Sequence, residues 1–451
     1  MPAVVTKNWR FATGDGYAAA METLIKKLVN AKSGEVKAVL WSFLYFFCLL
    51  TSYYILRPLR DEMGVTGGTR NLPWLFTATF IALLATAPLL AAVVAKLPRP
   101  KFIPVVYLFF VANLVLFWLL LKSDWQTVFV ARAFFVWIAV FSVFTVSVFW
   151  SFMSDLYSTE QSKRLFAFIA AGGSIGTLAG PLLARQLAVP VGPANLLLIA
   201  AALLALAVVC ANRLEAAAAR VRESTPGFEA ASAKREKEPV GGGVFEGFLW
   251  LFKSPYLGRI AVWVFLLSLL GTFVYLKYVA AVEASSDDSA IRTQTFASVD
   301  LWVGILSLGL QFLVSGRIIS RIGTGWAAAL LPLIFVAGFL IMAVHPAFIV
   351  LVGLQVLSRT ANFGVSNLAR ESFFTAVSRE ERFKAKNIID GAVFRGADAL
   401  NAWAYKAATA VMAAPAFAVT AAAIGVGYVL LSLSLGREHE RRSASKTAGS
   451  G

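Results

Sequence analysis

Apolar residues in this chain come in about a dozen long runs separated by short charged or turn-rich breaks. Lys96-Leu97-Pro98-Arg99-Pro100-Lys101 is one such break. A helix that crosses a bilayer needs roughly 20 mostly apolar residues. The runs fall near 36–57, 73–95, 102–121, 127–152, 165–187, 193–211, 257–281, 297–316, 325–344, 347–366, 389–412 and 415–435. The pattern predicts an all-α membrane protein with twelve transmembrane helices. A membrane β-barrel fits this pattern poorly, because its strands alternate in short segments and lack unbroken 20-residue runs. The longest interruption, Asn212–Lys253, is charged and contains Val240-Gly241-Gly242-Gly243, so it reads as a flexible linker. The expected division is an N-terminal segment (1–35), a six-helix half (36–211), a linker (212–256), a second six-helix half (257–435) and a tail (436–451). Before the first run, Tyr17, Met21, Leu24, Ile25 and Leu28 share one helical face, with Lys26 and Lys27 off it. That predicts an interfacial amphipathic helix over 17–29.

An internal repeat organises the runs. At an offset of 220, Leu49-Leu50-Thr51-Ser52-Tyr53-Tyr54-Ile55-Leu56-Arg57 matches Leu269-Leu270-Gly271-Thr272-Phe273-Val274-Tyr275-Leu276-Lys277. At the same offset Ser158-Thr159-Glu160-Gln161 matches Ser378-Arg379-Glu380-Glu381. Two parallel six-helix repeats are the organisation of the major facilitator fold, which binds substrate between its halves near the bilayer midplane. Gly316, Arg321 and Gly323 keep the Gly-x-x-x-Asp-Arg-x-Gly spacing of that fold's gating loop, with Ser320 in place of the acid.

Composition agrees. Of 451 residues, 59% are hydrophobic and 15% charged, and the mean hydropathy is +0.73. Soluble domains run about 45–50% apolar and about 25% charged. A soluble enzyme, a disulfide scaffold and a disordered chain are thereby excluded. Lys and Arg total 41 against 25 acids, a net charge of +16. Multispan proteins collect such charge in cytoplasmic loops, so the excess does not imply nucleic acid. With the N-terminus inside, the inner segments and the linker hold most of these residues, and both termini are expected to be cytoplasmic. Met1–Val36 lacks the apolar stretch of a cleavable signal. Cys48 and Cys210 lie in apolar runs and read as small core residues.

The search for catalytic chemistry returns little. The two histidines are His345 and His439, and the chain has no phosphate-binding loop, no Cys/His metal spacing and no nucleophile elbow. The expectation is a non-enzyme with no cofactor, no metal and no ATP hydrolysis. Gly172, Gly176 and Gly180, spaced by four, predict close helix packing. Chemistry then rests with ionisable groups inside apolar runs, which are costly in hydrocarbon and tend to face a cavity. Arg57, Arg60 and Asp61 share a helical face beside Tyr53 and Tyr54, although snorkelling to the interface would place the arginines there too. Arg132 and Lys277 are single basic groups, Asp155 ends the fourth run and Arg359 lies within the tenth. Arg370-Glu371 reads as an internal ion pair, and the eleventh run carries Asp390, Arg395, Asp398 and Lys406. The candidate set is Arg57, Arg60, Lys277, Arg359 and Arg395 for substrate. For ion pairing or proton coupling it is Asp61, Asp155, Glu371, Asp390 and Asp398. Arginine forks suit phosphate or carboxylate, and aromatic rings can stack a planar group. An anionic small molecule such as a nucleotide fits this set; sugars and quaternary amines fit poorly.

Several stretches resemble a known family. Tyr54-Ile55-Leu56-Arg57-Pro58-Leu59-Arg60-Asp61 resembles the first-span signature Tyr-x-Ile-Leu-Arg-Asp-x-Lys-Asp of the bacterial and plastid ATP/ADP translocases. Phe149-Trp150-Ser151-Phe152 through Lys163-Arg164-Leu165-Phe166 resembles the loop after their fourth span. Ser358-Arg359-Thr360-Ala361-Asn362-Phe363, Arg370-Glu371 and Lys384-Ala385-Lys386-Asn387-Ile388-Ile389-Asp390 resemble stretches of their tenth and eleventh spans. The resemblance implies a divergent member that exchanges nucleotides. Arg60 and Arg395 stand where the family has lysines in spans 1 and 11. Trp137-Ile138-Ala139 and Gly271-Thr272-Phe273 stand where it has acids in spans 4 and 7.

The expected function is transport of an anionic substrate across a bacterial inner membrane by alternating access, with nucleotide exchange leading and one chain sufficient. Proton-coupled transport of another organic anion, with Asp390 or Asp398 carrying the proton, and a non-transporting receptor or assembly factor on the same scaffold remain open.

Overall fold

Hydrocarbon offers backbone N–H and C=O groups no water, so a spanning segment must bond to itself as a helix. The computed structural model describes residues 35–96, 99–223, 254–313, 315–378, 381, 385, 386 and 388–448, and among them there is no strand. The first half contains α1 (Val36–Thr66), α2 (Leu72–Lys96), α3 (Arg99–Lys122), α4 (Thr127–Leu156), α5 (Thr159–Val191) and α6 (Pro193–Glu223). The second contains α7 (Pro255–Ser285), α8 (Ser289–Leu313), α9 (Ser315–Val344), α10 (Phe348–Thr375), α11 (Phe394–Val411) and α12 (Ala414–Ala448). α10 contains a π turn at Asn362–Ser366, and α11 is entered through another at Ile389–Val393.

Twelve helical segments match the twelve expected runs, and among the described residues ten are, by themselves, long and apolar enough to cross a membrane. α11 is not one of them. In α11 the reason is Arg395, Asp398 and Lys406, which interrupt an 18-residue helix. α6 continues to Glu223, past the Asn212 at which a linker was expected, and α12 runs to Ala448 through the expected tail. The expected amphipathic helix at 17–29 and the glycines at 240–243 lie outside the described residues.

The repeat is visible in detail. α1 and α7 are each 31 residues long. α5 opens on a capping box in which the Ser158 N–H donates to Gln161 Oε1 at 3.0 Å and the Gln161 N–H donates to Ser158 Oγ at 3.2 Å. The second half repeats it 220 residues on: the Ser378 N–H donates to Glu381 Oε2 at 2.9 Å, and the Glu381 N–H to Ser378 Oγ at 3.2 Å.

Each half has its own apolar core, one built on α1, α3, α4, α5 and α6, the other on α7 to α12. The cores trade a few residues: Ala297 of α8 joins the first, and Val65, Leu72, Leu75 and Phe135 join the second. The outer surface carries large apolar side chains such as Phe129, Phe312 and Ile349, as lipid contact requires. Gly172, Gly176 and Gly180 do press α5 onto α1; a Cβ on Gly176 would sit 2.8 Å from the Phe47 carbonyl oxygen. The expected gating loop is instead a helical turn. α9 begins at Ser315 and kinks at Gly323, whose φ of 78° favours glycine, and Arg321 is exposed.

Candidate functional site

Between the halves lies a cavity of about 490 Å³. α1 supplies Tyr53, Tyr54, Arg57, Arg60 and Asp61. α10 supplies Gln355, Ser358, Arg359 and Asn362, and α11 supplies Phe394, Arg395 and Asp398. α2 adds Phe76, Thr79 and Phe80; α4 adds Ile138, Ala139 and Ser142; α7 adds Ser268, Gly271, Thr272 and Tyr275. Pro58 breaks the backbone ladder of α1 inside this stretch.

Four arginines therefore face two aspartates on the wall, and each charged group has a distinct setting. The Arg60 guanidinium lies 4.4 Å from the centre of the Phe135 ring, and its buried Nε finds no acceptor. Arg395 is half exposed and 3.9 Å from Asp398. The Tyr275 hydroxyl donates to Asp61 Oδ1 at 2.9 Å, across the halves. The Ser268 hydroxyl donates to Asp398 Oδ1 at 2.6 Å, and the Asn401 amide donates to Ser268 Oγ at 3.0 Å. Arg57 and Arg359 both approach Asp300 of α8, Arg359 Nη1 at 2.6 Å and Arg57 Nε at 3.7 Å.

Asp300 was not anticipated. It is buried behind the two arginines it touches. The signal was present: an acid inside an apolar run, which marks a functional position by default. Of the anticipated residues, Arg57, Arg60, Asp61, Arg359, Arg395 and Asp398 line the cavity. The other four are elsewhere. Lys277 lies 4.9 Å from the Phe417 ring centre, held by a cation–π contact. Asp155 is exposed at the end of α4. Arg370 and Glu371, expected to pair with each other, pair instead with α11 and its approach: Arg370 with Asp390 at 3.4 Å, Lys386 with Glu371 at 2.6 Å. Neighbours in a helix point about 100° apart, so adjacent residues do not face one another. Arg132 is also withdrawn; its Nε donates to the Gly67 carbonyl at 2.8 Å, beyond the end of α1.

Further polar contacts join the halves on one side of the cavity. Arg292 of α8 grips Glu62 of α1 with both prongs, Nε to Oε2 at 2.9 Å and Nη2 to Oε1 at 2.6 Å. The Thr69 hydroxyl donates to Glu283 Oε2 at 2.8 Å, and the Gln294 amide donates to the Arg185 carbonyl at 3.2 Å. The first two lie where the α1–α2 and α7–α8 connections approach one another, and the third joins α8 to the last turns of α5. The residues exchanged between the cores, Val65, Leu72 and Leu75 among them, lie toward the same end. The two halves are joined there.

A bundle of two parallel six-helix repeats, apolar outside and with a charged cavity between the repeats, is a multi-pass membrane protein of the major facilitator type. A sequence profile of the Major Facilitator Superfamily matches residues 38–382, and the chain belongs to that superfamily. Its relatives include the ADP,ATP carrier protein 1 of Chlamydia muridarum (strain MoPn / Nigg), 22% identical over 79% of each chain. The ADP,ATP carrier protein 1 of Chlamydia pneumoniae is 21% identical over 79% of this chain and 81% of its own. Similar solved structures include a mutant of the nucleoside transporter NupG, with a TM-score of 0.59 at 15% identity, covering 90% of this chain and 99% of that one. A bacterial homologue of the iron transporter ferroportin in an inward-facing state has a TM-score of 0.60 at 13% identity, covering 90% and 98%. The resemblance to ATP/ADP translocases is thus met at low identity along most of the chain. Ala139 and Gly271, in the stretches where that family has acids, both line the cavity, so the wall is neutral there.

Proposed function

We propose that this protein carries an anionic nucleotide across the membrane by alternating access, exchanging one nucleotide for another. The observation that carries the reading is the set of four arginines converging on one cavity from both halves, with Phe76, Phe80, Phe363 and Phe394 beside them. The guanidinium groups supply charge and paired donors for phosphate, and the rings supply faces for a planar base. Arg60 and Arg395, from opposite halves, are the phosphate ligands. Neither has a tight carboxylate partner, and an isolated charge removed from water is stabilised by a counter-ion. The names of the chlamydial relatives support the substrate class. No bond is made or broken: the protein is a carrier, and concentration gradients of the exchanged species drive it.

The cavity is complete within one chain, so the monomer suffices. The Lys/Arg bias supports a bacterial inner membrane with both termini cytoplasmic. In that orientation the end at which the halves are joined faces outward. A second reading, proton-coupled transport of another organic anion, is favoured by Asp398, a carboxylate on the cavity wall anchored by a neutral hydroxyl.

Liposomes containing the purified protein separate the two. Exchange predicts uptake of labelled ADP only when unlabelled nucleotide is inside. Uptake into empty liposomes under an imposed pH gradient would replace the first reading with the second. Absence of flux for nucleotides and organic acids alike would remove both.

A further inference from the structure

Arg57 and Arg359 differ from the other cavity arginines in being already engaged. Their partner, Asp300, is 3% exposed and sits on α8, so it links Arg57 in one half to Arg359 in the other. Yet the pairing is one-sided. Arg359 reaches one carboxylate oxygen with a single prong at 2.6 Å, and Arg57 stays 3.7 Å from the other. The contrast with Glu62 and Arg292 is direct. There the molecule builds a two-pronged, aligned pair between the same helices, α1 and α8. The wall aspartates are also better anchored, Asp61 by Tyr275 and Asp398 by Ser268. Asp300 is held by one close prong and by no two-pronged fork.

A second feature lies one helical turn away. Tyr278 of α7 is buried, and its hydroxyl has no hydrogen-bond partner. Its ring packs edge-on against Phe296 at 5.5 Å between centres, and Phe296 precedes Asp300 by four residues on the same face of α8. An orphaned buried hydroxyl is destabilising, so an unused donor beside an acid held by one prong calls for a reason.

We propose that Asp300 is the resident counter-anion of the empty carrier: the anionic group of the substrate takes Arg57 and Arg359 from it, and Asp300 turns to the Tyr278 hydroxyl. The proposal rests on the reading of the cavity as an anion site and adds two residues to it. A phosphate or carboxylate entering from the cavity can offer each guanidinium the paired, in-plane oxygens that Asp300 does not. Displacement also makes room for charge. With Asp300 in place the four arginines face three acids, leaving little positive charge for a polyanion. The ionisable groups around Asp300 are Tyr54, Arg57, Arg60 and Asp61 of α1, Tyr278 of α7 and Arg359 of α10. The α5 stretch between Leu165 and Ala184, in the helix packed along α8, contains no ionisable residue. Because Asp300 ties Arg57 to the opposite half, its release also frees one contact between the halves only when an anion has arrived.

The two residues have opposite expected effects, which a merely structural role would not produce. Binding of ADP to purified full-length protein is measured by calorimetry, with pyrophosphate and citrate as anions lacking the base. Asp300→Asn removes the competitor and should tighten binding about tenfold. Tyr278→Phe removes the landing site, and its hydroxyl makes no bond in the empty state, so folding should be preserved while binding weakens about fivefold. The double variant should bind like Asp300→Asn, because the landing site matters only when the acid is present. If Asp300→Asn does not fold, Tyr278→Phe decides alone. Unchanged affinity in Tyr278→Phe, or weaker binding in a folded Asp300→Asn, overturns the exchange of partners and leaves the anion site standing. Absence of binding of all three anions to the unaltered protein overturns the anion site, and this proposal with it.

Discussion

The two halves share one plan and use it differently. The 220-residue offset places Arg57 opposite Lys277, Ala139 opposite Arg359, Ile175 opposite Arg395 and Leu178 opposite Asp398. In the first half the charge sits on α1, and α5 is apolar and glycine-lined so that it can press against α1. In the second half α7 contributes neutral Ser268, Thr272 and Tyr275 to the cavity, and the charge moves to α10 and α11. A helix that carries arginine and aspartate into a cavity cannot also pack backbone to backbone along that face. Duplication thus supplied two copies of a scaffold, and divergence divided the labour between rigid packing and ligand chemistry.

The comparison can be broken most severely at matched glycines. Gly176 and Gly396 stand at the same place in the repeat. A side chain on Gly176 meets the α1 backbone, whereas a Cβ on Gly396 lies 3.4 Å from the tip of Phe80. Gly176→Leu should lower stability by about 3 kcal/mol or more, and Gly396→Leu by about 1 kcal/mol or less, read from thermal unfolding in detergent. Equal losses would show that α5 and α11 are packed alike. Next come the matched cations. Arg57→Ala should weaken nucleotide exchange about tenfold, while Lys277→Ala, which removes only a cation–π contact, should leave it unchanged. Arg60→Ala and Arg395→Ala should match or exceed the Arg57 effect. Their lysine variants should recover part of it, because charge remains and the fork is lost. Exchange rates in liposomes test all of these, and a transport defect in Lys277→Ala would return that residue to the site. The smallest effect tests symmetry itself. Ser158→Ala and Ser378→Ala each remove one hydroxyl from matching capping boxes, and each should cost about 1 kcal/mol. Amide exchange at Gln161 and Glu381, whose N–H groups lose their acceptors, reads the loss locally, and a response on one side only would deny the two serines a common role.

Much of this was legible beforehand. The spans, their number as helical segments, the duplication and the glycine contact follow from runs of apolar residues and two matched motifs. Six of the ten anticipated site residues reached the cavity. The four that did not, Lys277, Asp155, Glu371 and Asp390, are charged residues of the same kinds, found by the same reasoning. What separates them is direction. Lys277 turns to Phe417, while Arg359 in the same half turns to Asp300. Asp300 escaped notice because it stands alone in its run, without a neighbouring charge or a family motif to draw attention to it.

In a soluble helix the polar face announces which way the helix is turned, because water and core select opposite residues. In a membrane bundle the lipid-facing and the core-facing sides are both apolar, and the rotation of each helix leaves almost no periodic trace. The sequence by itself determined that this chain spans a bilayer as a doubled helical bundle and that basic groups are stored within it. Only the tertiary structure decided which of them meet. The pairing of Arg57, Asp300 and Arg359 depends on the angles at which α1, α8 and α10 face one another, and those angles are settled by packing between residues far apart in the chain.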